Sequence, residues 1–281
     1  MLGGGCARAD GPPDAPAGGQ APAPAAAEAI DPAQAPEASG FRRTVLVRGL
    51  EHPWGLAWLP DGDLQMAIGD GGNPPVRLES ALIREQAQNR GSALGKILRL
   101  NADGSPAAGN PFQGDPGALP ELWSLGHRNI QGLAYDPTGG RVWVTEHGAR
   151  GGDELNLVSA GANHGWPLVT HSRETFGPQI TDRRTAPGMV DPRLVWTPAI
   201  APSGLAVASG KVPQWGGQLL AGGLVSSDVR RLRLDAEGRV VDEQVIPIGQ
   251  RVRDVREGPD GFLYVLTDGA GGGELIRLEP G

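Results

Sequence analysis

A strand–turn–strand pattern recurs along the chain, and it restricts the fold more than any other feature. Three segments share it: GLAWLPDGDLQMAIGD (55–70), GLAYDPTGGRVWVTEHG (132–148) and DVREGPDGFLYVLTDG (254–269). In each segment a short strand leads into a turn built on proline and glycine, and a second strand ends in a polar loop. The segment GLAVASGKVPQWGGQLLAGGL (204–224) is a looser copy.

Charged strands follow the repeated units and extend each of them into a sheet. They are GKILRLNADG (95–104), VRRLRLDAEG (229–238) and GELIRLEP (273–280), whereas helical periodicity is confined to residues 78–88. Repeated four-stranded units joined by glycine and proline turns are typical of a β-propeller. We therefore predict an all-β propeller fold, in which the ends of the inner strands face one shared channel.

The first forty residues differ in composition from the rest of the chain. Alanine, proline and glycine dominate residues 1–40, and such a segment cannot form a core. We predict a disordered tail over residues 1–40 and a propeller domain over residues 41–281. The start, MLGGGC, resembles the end of a bacterial lipoprotein signal whose apolar segment is lost, with Cys6 as the lipid tether. An accidental cysteine in the tail is the alternative. On the lipoprotein interpretation the domain is exported, and it is periplasmic or lipid-anchored on the cell envelope.

Charge and cysteine content exclude several functions. The formal net charge is -7, so a nucleic-acid partner is not expected. The single cysteine excludes an internal disulfide and a cysteine-rich metal site. No apolar run approaches the roughly 20 residues that a transmembrane helix needs.

Two groups of polar residues stand at strand ends or on strand faces. Residues 127–129, His-Arg-Asn, precede the inner strand GLAYD and would point at the channel mouth; a solvated turn is the alternative. Arg251 and Arg253 share one face of a predicted strand, which favours an anionic partner such as a carboxylate. The alternative is a solvated outer strand whose arginines pair with acids such as Asp254.

The segment TEHGARGGDELNLV (145–158) is rich in glycine and acids. Gly148, Gly151 and Gly152 permit backbone shapes that expose carbonyl oxygens, and oxygen ligands suit Ca²⁺. Asp153 and Glu154 could complete such a site, although the spacing is not that of an EF-hand. A purely structural turn is the alternative.

Four long motifs resemble those of one family. They are ELWSLGHRNIQGLAYDP (121–137), EHGARGGDELNLVSAGANHGWPL (146–168), WTPAIAPSGLA (196–206) and GQRVRDVREGPDGFLYVLTD (249–268). They resemble motifs of the soluble PQQ-dependent aldose sugar dehydrogenases, the glucose/sorbosone dehydrogenase family, and they occur in the family's order between about residues 41 and 279. The resemblance implies oxidation of an aldose sugar at C1 to the lactone, with hydride transfer to PQQ and an external electron acceptor.

The resemblance also implies the positions of the cofactor contacts. In the family a six-bladed propeller holds PQQ over the channel mouth. Arg128 and Asn129 would contact its quinone end, where Arg128 would stabilise the negative charge that develops on a quinone oxygen. Arg251 and Arg253 would meet the carboxylates of PQQ.

Two Ca²⁺ sites follow from the same resemblance. Gly148 and Ala149 would supply backbone carbonyls to the Ca²⁺ that bridges to PQQ. Glu154, with the carbonyl of His164, would hold a second, structural Ca²⁺.

The sequence departs from the family at four places. Ile130 and Ala149 replace prolines, and Val225 stands where some members have a lysine that binds PQQ. The largest departure is an apparent internal deletion: EHPWGLAWLPDGDLQMAIGDGG (51–72) joins the family's first blade directly to a later one. The missing segment includes the family's catalytic histidine, and the fold is expected to have four or five blades.

The residues leave three functions open. The first is a PQQ-dependent sugar dehydrogenase whose activity is impaired by the missing histidine. The second is a non-catalytic, Ca²⁺-binding propeller remnant. The third, a metal-dependent propeller lactonase of the gluconolactonase type, would need an acidic cluster spread over several blades, and none is evident in the sequence.

Overall fold

A computed structural model describes residues 29–31, 34–50, 64–101, 105–269 and 271–280. Within these ranges helical structure is limited to short 3₁₀ turns, which include Ile83–Gln88 and Pro213–Trp215. No helix in the described part of the chain is long and apolar enough to cross a membrane. The predicted helix over residues 78–88 is reduced to one such turn, because residues 77–82 form a small hairpin instead.

The remaining regular structure consists of strands. Numbered along the chain, they are β1 Ala29–Ile30, β2 Phe41–Leu50, β3 Leu64–Ile68, β4 Arg77–Leu78, β5 Ala81–Leu82, β6 Lys96–Leu100, β7 Leu122–Leu125, β8 Ile130–Asp136, β9 Arg141–Glu146, β10 Asp153–Val158, β11 Leu194–Trp196, β12 Pro202–Val207, β13 Leu219–Gly223, β14 Asp228–Leu234, β15 Val240–Pro247, β16 Arg251–Glu257, β17 Leu263–Asp268 and β18 Gly273–Pro280.

The strands form four sheets of three to five strands each, and a two-stranded hairpin, β4–β5, stands apart from them. The sheets have the orders β3-β6-β7, β1-β11-β10-β9-β8, β12-β13-β14-β15 and β16-β17-β18-β2. Strands that follow each other within a sheet pair antiparallel, as in β8–β9 and β16–β17. These two hairpins are the strand–turn–strand units predicted at residues 132–148 and 254–269.

The first strands of successive sheets pack side by side. β3 contacts β8, β8 contacts β12, and β12 contacts β16. A Cβ atom on Gly132 of β8 would lie 2.6 Å from the carbonyl oxygen of Ser203, and one on Gly204 of β12 would lie 1.8 Å from Asp254 Oδ1. The glycine of the repeated Gly-Leu-Ala motif is therefore required where inner strands approach too closely for a side chain.

Apolar side chains fill the space between neighbouring sheets. Trp143 and Trp196 from the β8–β11 sheet pack with Leu205, Leu219 and Leu232 from the β12–β15 sheet, and all five are at most 1 % exposed. A second cluster of the same kind lies between the β12–β15 and β16–β18 sheets. Each sheet thus buries its faces against its neighbours, as the repeats predict.

Strand β2 joins the sheet that is formed by the last three strands of the chain. β2 pairs antiparallel with β18, so residues 41–50 form the fourth strand beside β16–β18 and cover the edge of that sheet. Part of the segment predicted to be a disordered tail also pairs: β1 lies parallel to β11, and Glu37 forms a bridge with Val245.

Three sequence-based predictions concern residues outside the described ranges. Residues 1–28, which include Cys6, lie outside them, so the disorder and the lipid tether stay predictions there. Residues 51–63, which hold most of the segment where the deletion is predicted, lie outside them as well. The blade number of four or five therefore also stays a prediction.

Candidate functional site

Arg128 lies between β7 and β8 and is only 8 % exposed. Its Nη1 donates to the carbonyl oxygens of His147, at 2.7 Å, and Gly148, at 2.9 Å. Its Nη2 donates to Asn73 Oδ1 at 2.7 Å, whereas the buried Nε has no hydrogen-bond partner. A buried guanidinium held only by neutral oxygens keeps its positive charge uncompensated by any direct ion pair.

Glu146, at the end of β9, supports the backbone beneath Arg128. Its carboxylate accepts hydrogen bonds from the backbone N–H of Arg128, at 2.7 Å, and from Asn156 Nδ2, at 2.7 Å, and it contacts His127 Nδ1 at 3.1 Å. Burial acts to raise the pKa of Glu146, but His127 and the Arg128 N–H outweigh it and hold that pKa below its ordinary value. Glu146 is therefore an ionised carboxylate that fixes the turn of residues 127–129.

The glycine-rich loop after β9 is held by two side chains from later in the sequence. Gly148 N–H donates to Asp153 Oδ1 at 2.8 Å, and Ala149 N–H donates to Ser172 Oγ at 2.6 Å. A Cβ on Gly148 would fall 2.0 Å from the Gly151 carbonyl oxygen, so the turn admits no side chain there. This tight loop presents the Gly148 carbonyl towards Arg128.

Asp153 holds the glycine-rich loop through its side chain. Its second oxygen, Oδ2, accepts the backbone N–H of Ala201 at 2.8 Å, so each carboxylate oxygen binds one backbone amide. Successive residues of a strand point to opposite faces, and this separates Asp153 from Glu154 on β10. Asp153 shapes the loop, and Glu154 lies on the other face of β10.

Glu154 lies directly opposite Glu146 in the β9–β10 pair. Asn156 Nδ2 donates to both carboxylates, at 2.7 Å to Glu146 and 3.1 Å to Glu154, whereas the buried Asn156 Oδ1 has no partner. Burial, followed by the charge of Glu146, raises the pKa of Glu154 to about 8. Such a pair of carboxylates gains from a nearby cation.

His164 lies beside this pair of carboxylates and is 6 % exposed. Its ring stacks on His127 with centroids 4.5 Å apart, and neither ring nitrogen has a hydrogen-bond partner. Burial lowers the pKa of His164 to about 3, so the ring is neutral. Among the predicted site residues, the structure brings Arg128, Gly148, Glu154 and His164 together around one small cavity.

Asn129 and Ala149 lie at the edge of this group, and both are half-buried. Asn129 Oδ1 accepts a hydrogen bond from Gln131 Nε2 at 2.8 Å. The carbonyl oxygen of Asn129 accepts the N–H of His147 at 2.9 Å, which ties the turn of residues 127–129 to the glycine-rich loop.

Arg251 and Arg253 lie at a second place. A bulge between Val252 and Asp254 interrupts the alternation of β16, so Arg253 has no register partner on β17. Arg253 Nη2 binds Asp268 Oδ2 at 2.6 Å, and the exposed Arg251 lies opposite Asp268. Arg251 and Asp268 line a cleft of about 490 Å³ that does not include Arg128.

Sequence reasoning missed several partners of Arg128. Asn73 and Asp70 come from the loop GDGGN after β3, and Trp166 comes from the loop after β10. Asp70 donates its backbone N–H to the Arg128 carbonyl at 2.8 Å. A glycine-rich loop directly after an inner strand was the available signal for Asp70 and Asn73, because inner-strand ends converge at the channel.

A family model described as glucose / sorbosone dehydrogenase matches residues 51–277 of the chain. The uncharacterized protein slr1608 of Synechocystis is 59 % identical over 226 residues, which cover 80 % of this chain and 55 % of that protein. The aldose sugar dehydrogenase YliI of Escherichia coli is 40 % identical over 201 residues, which cover 70 % of this chain and 54 % of that protein.

A solved structure of an aldose sugar dehydrogenase also matches the chain. The PQQ-bound aldose sugar dehydrogenase of Streptomyces coelicolor is 30 % identical, with a TM-score of 0.58 over 77 % of this chain and 59 % of that one. The chain spans about half the length of the curated relatives it matches.

Proposed function

Because the chain belongs to the glucose/sorbosone dehydrogenase family, we propose that it is a PQQ-dependent oxidoreductase that oxidises an aldose at C1 to the lactone. Family membership confirms the predicted resemblance, and with the four sheets, in which successive strands pair antiparallel, it confirms the β-propeller class. The sugar substrate, the external electron acceptor and the level of activity belong to the proposal.

The observation that carries the proposal is the uncompensated charge of Arg128. Its guanidinium donates only to two carbonyls and one amide oxygen, and no carboxylate among the described residues accepts a bond from it. PQQ, when bound, supplies the quinone that accepts the hydride. Arg128 would stabilise the negative charge on a quinone oxygen, with Asn129 beside it, because a buried cation acts strongly on a charge that forms within hydrogen-bond reach.

The residues around Glu154 fit a Ca²⁺ ion. A half-buried carboxylate whose pKa rises to about 8, beside the ionised Glu146 and the unpartnered Asn156 Oδ1, is an oxygen-rich position that lacks positive charge. We assign Glu154 and the carbonyl of His164 to a structural Ca²⁺ in this proposal.

The second Ca²⁺ of the proposal lies at the glycine-rich loop, where Gly148 and Ala149 would supply carbonyl oxygens. The Gly148 oxygen already accepts the 2.9 Å bond from Arg128 Nη1. A carbonyl oxygen has two lone pairs, so this bond leaves one of them for a cation.

Arg251 and Arg253 extend the proposal to the carboxylates of PQQ. Arg251 is exposed at the mouth of its cleft, and Arg253 is held by Asp268. Among the described residues, this cleft and the cavity at Arg128 share no lining residue. The proposal therefore requires that one PQQ molecule reach both places.

We propose that activity is impaired, because His127 and His147, the histidines on either side of the Arg128 guanidinium's contacts, are committed to other hydrogen bonds. His127 bonds Ser124 and Glu146, and His147 Nε2 bonds the carbonyl of Pro202 at 2.6 Å. His164 is buried against His127. The resemblance places the family's general base in the segment that this chain lacks, and losing such a base costs about 10²–10⁴-fold in rate.

The alternative is a non-catalytic, Ca²⁺-binding propeller remnant. It is favoured by the Glu154 position, whose partners Glu146, Asn156 and His164 all come from residues 146–164 and do not depend on the missing segment. Export to the periplasm, or lipid anchoring through Cys6, is part of either proposal.

The test uses the full chain reconstituted with PQQ and Ca²⁺, an aldose and an artificial electron acceptor. We expect Ca²⁺ binding with at most trace turnover, rescue when the missing segment is restored, and loss of the rescued activity in Arg128→Ala. Arg233→Ala, a change at an exposed arginine, is the matched control. Turnover within about tenfold of an intact family member would contradict the impairment, because an absent base costs more than that.

A further inference from the structure

We propose that Trp166 positions Arg128, so that the guanidinium is oriented before a ligand arrives. This inference rests on the proposed function, because it assigns a positioning residue to the group that would meet PQQ. It concerns only residues of this chain, and it depends on a stacked arrangement in which three charged side chains converge on one indole.

The indole of Trp166 lies under the Arg128 guanidinium. Arg128 Cζ is 5.5 Å from the ring centroid, and Trp166 is only 4 % exposed. Cation–π attraction is strongest over tryptophan and grows when water is excluded from the pair. Nη1 and Nη2 bond acceptors at the edge of the guanidinium and Nε bonds none, so the ring adds support to the face of the group that its hydrogen bonds do not reach.

The ring itself is held in place. Trp166 Nε1 donates to Asp70 Oδ2 at 2.7 Å, and the Trp166 carbonyl accepts Gln88 Nε2 at 2.7 Å. The backbone N–H of Asp70 donates to the Arg128 carbonyl at 2.8 Å. Asp70 therefore fixes the indole and the backbone of the arginine that stacks on it.

A second arginine occupies the same indole. Arg84 Cζ lies 5.6 Å from the Trp166 ring, and Arg84 Nη1 bonds Glu174 Oε1 at 2.9 Å with both side chains nearly buried. Glu174 neutralises Arg84, whereas Arg128 has no carboxylate bound to its guanidinium. The two guanidiniums at this ring thus differ in their partners. Arg84 is paired with Glu174 and helps to hold the indole in place, whereas Arg128 can still bind an anion.

The support extends to Lys96, which is fully buried. Its Nζ donates to the carbonyls of Gln86 and Ala87, at 2.7 and 2.9 Å, in the 3₁₀ turn that carries Arg84. The Ala87 carbonyl also accepts the N–H of Gly126, two residues before Arg128. The turn that presents Arg84 to the indole is therefore bonded to the turn that presents Arg128.

The experiment compares three variants of the full chain by calorimetric titration with PQQ in the presence of Ca²⁺. Trp166→Leu removes the π face, and we expect it to weaken PQQ affinity about tenfold. Trp166→Phe keeps a π face without the Nε1 bond to Asp70, and we expect its affinity to lie between those of the wild type and Trp166→Leu. Trp123→Leu is the matched control, since it removes a similar contact that does not involve Arg128. In that contact Arg99 Cζ lies 5.1 Å from the centroid of the Trp123 ring.

A second readout does not involve PQQ. The Arg128 Nε–H resonance should be shifted by the ring current of Trp166 in the wild type. The shift should vanish in Trp166→Leu and persist in Trp166→Phe and Trp123→Leu. If Trp166→Leu does not fold, Asp70→Asn provides the test: it loosens the indole and should weaken affinity and reduce the shift.

The outcomes separate the two proposals. A wild type that does not bind PQQ but shows the ring-current pattern overturns the cofactor assignment and supports the positioning role. A second outcome is that the wild type binds PQQ and loses affinity in Arg128→Ala, while Trp166→Leu and Trp123→Leu keep the wild-type affinity. That result overturns the positioning role alone. Absence of the ring-current pattern overturns it in either case.

Discussion

Two buried arginines, Arg128 and Arg230, have different hydrogen-bond partners. Arg230 on β14 is 3 % exposed and binds Asp228 through two hydrogen bonds, of 3.0 and 2.9 Å, and Glu243 at 3.4 Å. Arg128 is 8 % exposed and binds only neutral oxygens. Burial is similar, but only Arg230 is neutralised by direct ion pairs.

The difference separates a structural charge from one available to a ligand. Glu243 also accepts Trp196 Nε1 at 2.9 Å, so the Arg230 group ties β11 of one sheet to β14 and β15 of the next. The positive charge of Arg230 is thus paired within the protein. Burial lowers the pKa of Arg128, while Asp70, Glu146 and Asp153 raise it from a distance. A cation kept charged without a bonded anion is the arrangement that favours an anionic ligand.

The largest expected effect is on stability at Arg230. Arg230→Met leaves Asp228 and Glu243 buried without their cation, which should lower the free energy of unfolding by about 3–5 kcal/mol. Arg128→Met removes hydrogen bonds to neutral groups and should cost about 1–2 kcal/mol. Urea unfolding of both variants measures the difference, and equal losses would contradict the distinction between the two arginines.

The next prediction tests whether charge pairing causes that loss. The triple variant Arg230→Met, Asp228→Asn, Glu243→Gln removes the cation and both carboxylates together. We expect it to recover at least about 2 kcal/mol of the free energy of unfolding lost in Arg230→Met, because an uncompensated buried charge is the costly element. No recovery would assign the loss to packing of the arginine side chain instead.

A smaller effect concerns pH. Burial raises the pKa of Glu243, against hydrogen bonds from Trp196 and Arg230 that lower it. The folded protein therefore keeps this proton to a higher pH than the unfolded chain, whose glutamates titrate near pH ~4.3. The stabilising contribution is fully present below that pH and is lost as the pH rises through the raised pKa.

Glu243→Gln removes this titration. The free energy of unfolding of the wild type, relative to that of Glu243→Gln, should fall as the pH is raised from about 4 to about 7. Glu237→Gln, at an exposed carboxylate in the turn between β14 and β15, is the control and should run parallel to the wild type. Parallel curves for Glu243→Gln would show that its pKa is not raised.

Local patterns in the sequence predicted the inner hairpins and the Arg128 turn, because both depend on neighbouring residues. The glycines at positions 132 and 204 belong to the repeat, and the structure explains them by the approach of β8, β12 and β16. The bulge at Arg253 was not predictable from alternation, since one extra residue changes the parity of β16.

The surroundings of Arg128 were beyond local reasoning for a different reason. Asn73 bonds Arg128 across 55 positions in sequence, and Trp166 bonds Asp70 across 96. Such contacts depend on how sheets meet around the channel, which a single sequence does not encode in any short segment. The motif nevertheless identified Arg128 itself, because its turn directly precedes an inner strand.

The smallest expected effect comes from a third arginine on the same strand as Arg230. Arg233 lies opposite Asp242, with Nε 3.7 Å from Oδ2, and its side chain is 59 % exposed. An exposed pair at this distance is screened by water and salt, so Arg233→Ala should change the free energy of unfolding by at most about 0.5 kcal/mol. Urea unfolding at low and high salt measures it. A loss comparable to that of Arg230→Met would mean that an ion pair contributes as much at an exposed position as at a buried one. The contrast between Arg128 and Arg230 would then need another cause.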